Sequence, residues 1–303
     1  MKKVLLSLLG VGVGLMLLGV VFLAAGGFRP VNALEPYFTV HPRGSGTAAR
    51  YDTPRTVRRE LDAAAVRSIT LSLVNADVQV EKGEGRTVTL SYEEAYQGEW
   101  DYAFSGSALT LRYRKYAQNW LAGLLDGINS GGDGLDGDKI TVHLTVPAGS
   151  APALSVTDVN GSCSASGVVL QGLTVKGVNT QISLSAVRAA DTLAVHATNG
   201  DAQITGSSAP TLNIDAMVNA GCTVTSSAFD RISASGQVNN SLVIEGLKNP
   251  ADYSLSYHTV NGGVTYNGVS YTGNGVLSGG SAGTGKKSID YQGVNSSLKV
   301  TFD

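Results

Sequence analysis

LSVTDVNGSCSASGVVLQGLTVKGVNTQISLSAVRAADTLAVHATNGDAQITGSSAPTLNIDAMVNAGCTVTSSAFDRISASGQVNNSLVI, residues 154–244, repeats one short phrase at a nearly constant interval. An apolar residue or Thr precedes Asn, and apolar and polar residues alternate on both sides. The phrase occurs at Val74-Asn75, Val159-Asn160, Val178-Asn179, Thr198-Asn199, Val218-Asn219, Val238-Asn239, Val260-Asn261 and Val294-Asn295. From Asn160 to Asn239 the steps are 19, 20, 20 and 20 residues, followed by 22 to Asn261 and 34 to Asn295. A fixed period near 20 suits a solenoid, because one coil buries its apolar face only against the coils above and below it.

Each unit reads as two strands of period 2, one face buried and one wet. Ahead of the Asn run pairs such as Leu154/Val156, Leu173/Val175, Leu193/Val195 and Leu212/Ile214; behind it run Cys163/Ala165, Ile182/Leu184, Ala202/Ile204 and Cys222/Val224. The expected fold is therefore all-β: a stacked β-solenoid of about 20 residues and two short strands per coil, preceded by an N-terminal transmembrane helix. Asn tolerates left-handed backbone well, and stacked amides bond from coil to coil, so Asn75, Asn160, Asn179, Asn199, Asn219, Asn239, Asn261 and Asn295 read as a structural turn ladder. Turn geometry alone accounts for them without an Asn-lined binding groove.

The 303 residues include 38 Gly, 43% hydrophobic and only 15% charged residues, a balance that fits a thin core and flat polar walls. A net charge of −2, with no basic stripe interleaved with aromatics, argues against a nucleic-acid partner.

Behind Met1-Lys2-Lys3, the stretch from Val4 to Gly27 holds no charge. At ~1.5 Å per residue it is long enough for a ~30 Å hydrocarbon core, and it exceeds the roughly 7 to 15 apolar residues of a cleavable signal peptide. Residues 1–27 are thus expected to be a retained anchor, with residues 4–27 in the lipid bilayer. Lys2 and Lys3 favour a cytoplasmic N-terminus, which makes this a single-pass protein of the cell membrane with its C-terminal domain outside the cytoplasm. Residues 28–60, with Pro30, Pro36, Pro42, Pro54 and six Arg, read as an extended extracytoplasmic linker whose arginines could touch anionic headgroups or wall polymers.

Residues 61–150 interrupt the period and are expected to form irregular first coils, a hairpin and a short amphipathic helix, with the regular solenoid over 151–303. Strands are expected at Val88 to Tyr92, Trp100 to Phe104, Leu109 to Tyr113 and Ile140 to Val146, and the helix from Tyr116 to Ile128.

Chemistry is sparse. Gly131-Gly132-Asp133-Gly134-Leu135-Asp136, with Asp138, matches a β-roll calcium repeat once, where such sites need stacked copies; Asp133, Asp136 and Asp138 are a weak calcium candidate and read better as an acidic loop. His196 and His258 fall in one column three coils apart, too far to share a metal. Cys163 and Cys222 fall in one inward column roughly 14 Å apart at ~4.8 Å per coil, beyond disulfide reach, and read as small core residues. No nucleophile elbow, phosphate loop or dinucleotide fingerprint is present, so no catalytic residue, metal or cofactor is assigned.

The segments VRSITLSLVNADVQVEKGEGRTVTLSY (66–92), LTLRYRKY (109–116), ITVHLTVPAGSAPALSVTDVNGSCSASG (140–167) and SIDYQGVNSSLKVTF (288–302), with the successive Val-Asn coils between, resemble the bacterial DUF4097 family, whose members often carry the label adhesin. The resemblance covers roughly residues 61 to 303 and implies a membrane-tethered envelope β-solenoid, some relatives being linked to envelope stress. It brings no catalytic residues with it. The expected function is a non-enzymatic, membrane-anchored envelope scaffold or adhesin-like protein whose partner is an envelope protein or a wall or surface polymer. An envelope-stress sensor and a polysaccharide-active β-helix enzyme are the alternatives.

Overall fold

Alternating residues with one wet face can bury the other only by stacking, and the computed structural model shows how this chain stacks them. It describes residues 50–113, 140–278 and 287–303. In chain order the strands are β1 (Arg50–Asp62), β2 (Ser68–Ser72), β3 (Ala76–Gly83), β4 (Thr87–Tyr96), β5 (Trp100–Ser105), β6 (Ala108–Tyr113), β7 (Ile140–Pro147), β8 (Ala153–Val159) and β9 (Ser162–Ser166). The regular coils continue as β10 (Val169–Leu170), β11 (Gly172–Val178), β12 (Gln181–Ser185), β13 (Arg188–Ala189), β14 (Thr192–Thr198), β15 (Ala202–Thr205), β16 (Ser208–Asp215), β17 (Gly221–Thr225), β18 (Ala228–Val238) and β19 (Ser241–Leu247). The chain closes with β20 (Tyr253–Tyr266), β21 (Val269–Ser278), β22 (Lys287–Val294) and β23 (Ser297–Phe302), and these strands form one sheet.

Two walls of parallel strands run along the stack. In the first, β6, β2, β8, β11, β14, β16, β18, β22 and β20 are successive neighbours. In the second, β7, β3, β9, β12, β15, β17, β19 and β23 follow one another and end on the C-terminal half of β20. Equivalent residues align from coil to coil. Ile69, Leu154, Leu173, Leu193, Leu212, Ile232, Ile289 and Leu255 make one inward column, all buried. The next column narrows to Ala234 where it meets Tyr291, a fully buried ring that needs this space. The pairs expected to face inward do so, and they form the two long walls of the core.

Four expectations change. The coil has a third short side: β10 pairs with β13, and Leu170, Ala189, Ala209 and Phe229 bury themselves there, so two strands per coil describe only its long walls. The last two coils are out of chain order. β22 and β23 slide between the β18/β19 coil and β20, so the coil of Asn295 sits on that of Asn239 and the coil of Asn261 is terminal. At the other end β2 and β3 lie directly on β8 and β9, while β6 and β7, later in the chain, are stacked outside them. The extended linker expected through residue 60 gives way at Arg50, because β1 pairs antiparallel with β4 from Arg55 to Asp62 and supplies β4 with the ladder partner that a stack end lacks.

The strands expected in residues 61–150 appear as β4, β5, β6 and β7, with β5 and β6 as the hairpin. The expected membrane segment at 4–27, the helix from Tyr116 to Ile128 and the acidic loop with Asp133, Asp136 and Asp138 lie outside the described residues. Among the described residues no helix is long and apolar enough to cross a membrane.

Candidate functional site

All eight repeat asparagines adopt left-handed backbone, with φ between 50° and 62°. That conformation costs a residue with a side chain about 1 to 2 kcal/mol, least for Asn. Here it turns each peptide so that the Asn N–H donates to the carbonyl just ahead of the Asn in the neighbouring coil: Asn75 to Val159, Asn160 to Val178, Asn179 to Thr198, Asn199 to Val218, Asn219 to Val238, Asn239 to Val294 and Asn295 to Val260, at 2.7 to 3.1 Å. The side chains add a second thread. Nδ2 donates to Oδ1 from Asn160 to Asn75 (3.3 Å), Asn179 to Asn160 (2.7 Å), Asn219 to Asn199 (3.2 Å), Asn239 to Asn219 (3.1 Å) and Asn295 to Asn239 (3.2 Å).

Inside this corner, the residue two before the Asn and the residue one after it share a single space. Large and small alternate accordingly: Asp158 with Gly161, Gly177 with Thr180, Met217 with Ala220, Gly293 with Ser296. A Cβ on Gly177 would stand 2.7 Å from the Thr180 Cβ, and one on Gly293 would run into the Ser296 Oγ. Where both residues are large they bond, as when the Asn240 amide donates to Gln237 Oε1. Asp158 is fully buried here beneath Gly161, and its Oδ2 accepts from Thr180 Oγ1 at 3.4 Å. Burial pushes its carboxyl up to about 7 against the hydrogen bonds that favour the anion.

A second corner repeats equally well. Gly167, Ala186, Gly206, Ser226 and Gly246 all have positive φ and recur at 19, 20, 20 and 20 residues. The residue after each turn is buried, and Ser207 and Ser227 use their hydroxyls there to accept from the Val187 and Ser207 amides of the neighbouring coils, both at 3.1 Å. Sequence reading missed this corner because its residues share only small size. The signal that finds it is the same period of 20.

The outward faces carry the accessible chemistry. On the second wall, four successive coils present Ser162/Ser164/Ser166, Gln181/Ser183/Ser185, Asp201/Gln203/Thr205 and Gly221/Thr223/Thr225 in register, none of them buried. Ten of these twelve positions are hydroxyl or amide, and Asp201 alone is charged, its Oδ1 accepting from the Gly221 amide at 2.7 Å. With neighbouring strands ~4.8 Å apart and successive outward residues ~6.7 Å apart along a strand, they form a flat grid of donors and acceptors.

Nothing in the described residues gathers reactive groups. No three of His, Cys, Asp and Glu are placed to hold a metal among them. His196 on β14 and His258 on β20 are four strand steps apart rather than three, since β22 intervenes. Cys163 and Cys222 occupy one column three steps apart, through Ile182 and Ala202; both are free and buried, and burial, then a nearby carboxylate, pushes each thiol up to about 12. A thiol so placed is no nucleophile. An open cleft of about 500 Å³ lies beside β1, where Arg55 bonds Glu94 Oε2 through Nε (2.8 Å) and Nη2 (2.5 Å) and Arg59 lies 5.1 Å from the Tyr102 ring centre.

The family model described as Toastrack DUF4097 matches residues 66–241. A comparison with curated proteins finds no match. Among solved structures, the chain is similar to a candidate adhesin from Bacteroides fragilis, at 13% identity over 81% of this chain and 96% of that one, with a TM-score of 0.45. It is similar also to a candidate cell adhesion protein from Clostridium sporogenes (10% identity, 83% and 100% covered, TM-score 0.35) and to a candidate lipid-binding protein from Parabacteroides distasonis (8% identity, 84% and 96% covered, TM-score 0.35).

Proposed function

The chain belongs to the Toastrack DUF4097 family, and from that premise we propose that it is a non-enzymatic binding scaffold of the cell envelope. Residues 4–27 anchor it in the lipid bilayer with the N-terminus in the cytoplasm, and the solenoid stands outside, offering its polar wall to a wall or surface polymer or to an extended stretch of envelope protein. The observation that carries this reading is the grid on the second wall. Twelve aligned positions across four coils hold ten hydroxyl or amide side chains and one carboxylate. Repeated neutral donors and acceptors on a rigid lattice favour a ligand that is itself extended, polar and repetitive. Such a face binds through many weak contacts at once, and its single carboxylate, Asp201, is already engaged by the Gly221 amide.

The test is binding of the full chain in mild detergent to purified wall polysaccharides and to envelope extracts, beside a variant carrying Ser183→Arg and Thr223→Arg. Loss of affinity by tenfold or more in the variant supports the reading, in proportion to the area that two long cations disturb. Retention of no polymer and no envelope protein by the unaltered chain sinks it. For the anchor, the full chain should stay with membranes through an alkaline wash, and a chain lacking residues 4–27 should not.

A further inference from the structure

The two ends of the stack are finished differently. At the N-terminal end, among the described residues, β5 is outermost on the first wall, paired with β6, and β1 is outermost on the second, paired with β4. Seven of its thirteen residues are charged (Arg50, Asp52, Arg55, Arg58, Arg59, Glu60 and Asp62), and it contains Pro54. Charge and proline are the usual means of keeping an exposed edge from pairing again. At the C-terminal end β21 is outermost among the described residues. Among the described residues it pairs with β20 alone, following it around the corner from Ser254↔Ser278 to Tyr266↔Val269. Neither β20 nor β21 contains Asp, Glu, Lys, Arg or Pro across their 14 and 10 residues. Val276 is 74% exposed and Val269 54%, the two most exposed large apolar residues described.

We propose that β21 is a self-association edge, on which a second copy of this chain docks tail to tail, β21 antiparallel to β21 across a two-fold axis perpendicular to the stack. Three observations select this occupant. β21 extends the ladder of β22, β23 and β20 by one more strand, so a strand docked on its free edge continues a ladder already built coil upon coil. A charged partner finds no complement over the 24 residues of β20 and β21, whereas an identical neutral edge meets no repulsion. Docking head to tail would desolvate the charges of β1 from Arg55 to Asp62 against a neutral end, so the contact closes as a dimer instead of running on as a fibre. The inference is independent of the polymer reading, which uses the second wall.

Sedimentation of the full chain in mild detergent from low to high micromolar concentration tests it, with hydrogen exchange of the β21 amides measured in parallel. The unaltered chain should move from monomer to dimer as β21 protection rises. Val276→Lys and Thr272→Lys, both at exposed positions on the two sides of the corner, should each weaken dimerisation about tenfold or more, because an ammonium buried at the seam finds no carboxylate in β20 or β21 of either copy. Arg58→Ala, at the other end, should leave it unchanged. A chain that stays monomeric overturns the proposal. So does a dimer insensitive to both lysines, one that Arg58→Ala disperses, or one that forms with no added protection in β21.

Discussion

The asparagine corner and the corner at Gly167, Ala186, Gly206, Ser226 and Gly246 bend the chain with the same left-handed backbone, yet they were built under different pressures. At the asparagine corner the interior is crowded: a Cβ on Gly200 would stand 2.2 Å from the Thr180 carbonyl oxygen, one on Gly262 2.1 Å from that of Ser296, and Gly161 is as tightly enclosed by Ala76 and Asp158. At the other corner Gly206 has nothing within 4 Å and Gly167 meets only the Lys82 Cβ at 3.9 Å. Glycine is thus steric at the first corner and, at Gly167 and Gly206, conformational at the second; Gly246, in the last coil of that corner, is tighter, a Cβ there standing 3.3 Å from the Ser226 nitrogen. That is why the second accepts Ala186 and Ser226, while the first keeps Asn at its left-handed position and, at Gly161, Gly200 and Gly262, glycine just behind it.

The comparison breaks first at Gly200. Gly200→Ala should cost on the order of 3–5 kcal/mol, because the added methyl meets neighbouring backbone that cannot rotate away. A loss below ~1 kcal/mol on chemical denaturation would mean that the corner yields and is not close-packed. Next comes Asp158, whose carboxyl ionises at about 7 in the fold against an ordinary value of 3.8. Its folded pKa is raised, so its contribution to stability is fullest below pH about 4, falls as the unfolded chain alone ionises between about 4 and 7, and is level above. The ceiling on that fall is ~4 kcal/mol at ~1.36 kcal/mol per pH unit, and 2–3 kcal/mol is the expected size. Asp158→Asn should remove the slope and make the protein more stable at pH 8; an unchanged pH profile would place that carboxyl in water.

Smaller effects sharpen the contrast. Asn219→Ala should cost about 1–2 kcal/mol, since Asn219 donates to Asn199, accepts from Asn239 and holds φ 50°. Gly206→Ala should cost about 1 kcal/mol for its left-handed backbone alone, and Gly206→Asn only a few tenths, because that corner has room and Asn suits the turn. If Gly206→Asn proved as damaging as Gly200→Ala, the two corners would not differ in packing.

Much of this was legible before any coordinates. A side chain that points inward every second residue and every coil must be apolar, so Leu173, Leu193 and Leu212 announce their column; a left-handed turn repeated each coil favours Asn, so Asn179, Asn199 and Asn219 announce theirs. The second corner stayed hidden because Gly167, Ala186, Gly206 and Ser226 share a shape and no chemistry. The polar wall was visible as composition, but its flat registration follows only from the strand pairing.

Period, burial pattern and turn chemistry repeat within about twenty residues, and local sequence alone set them: coil length, inward columns and the asparagine turns. The order of the coils belongs to another level. The coil of Asn295 inserts between those of Asn239 and Asn261, and β1 covers β4, because each open stack end must find ladder partners and cover for its core wherever the chain can supply them. One Val-Asn coil stacks on another through the same backbone bonds whatever their separation in the chain, so neighbour identity at the ends was decided only by the whole molecule closing on itself.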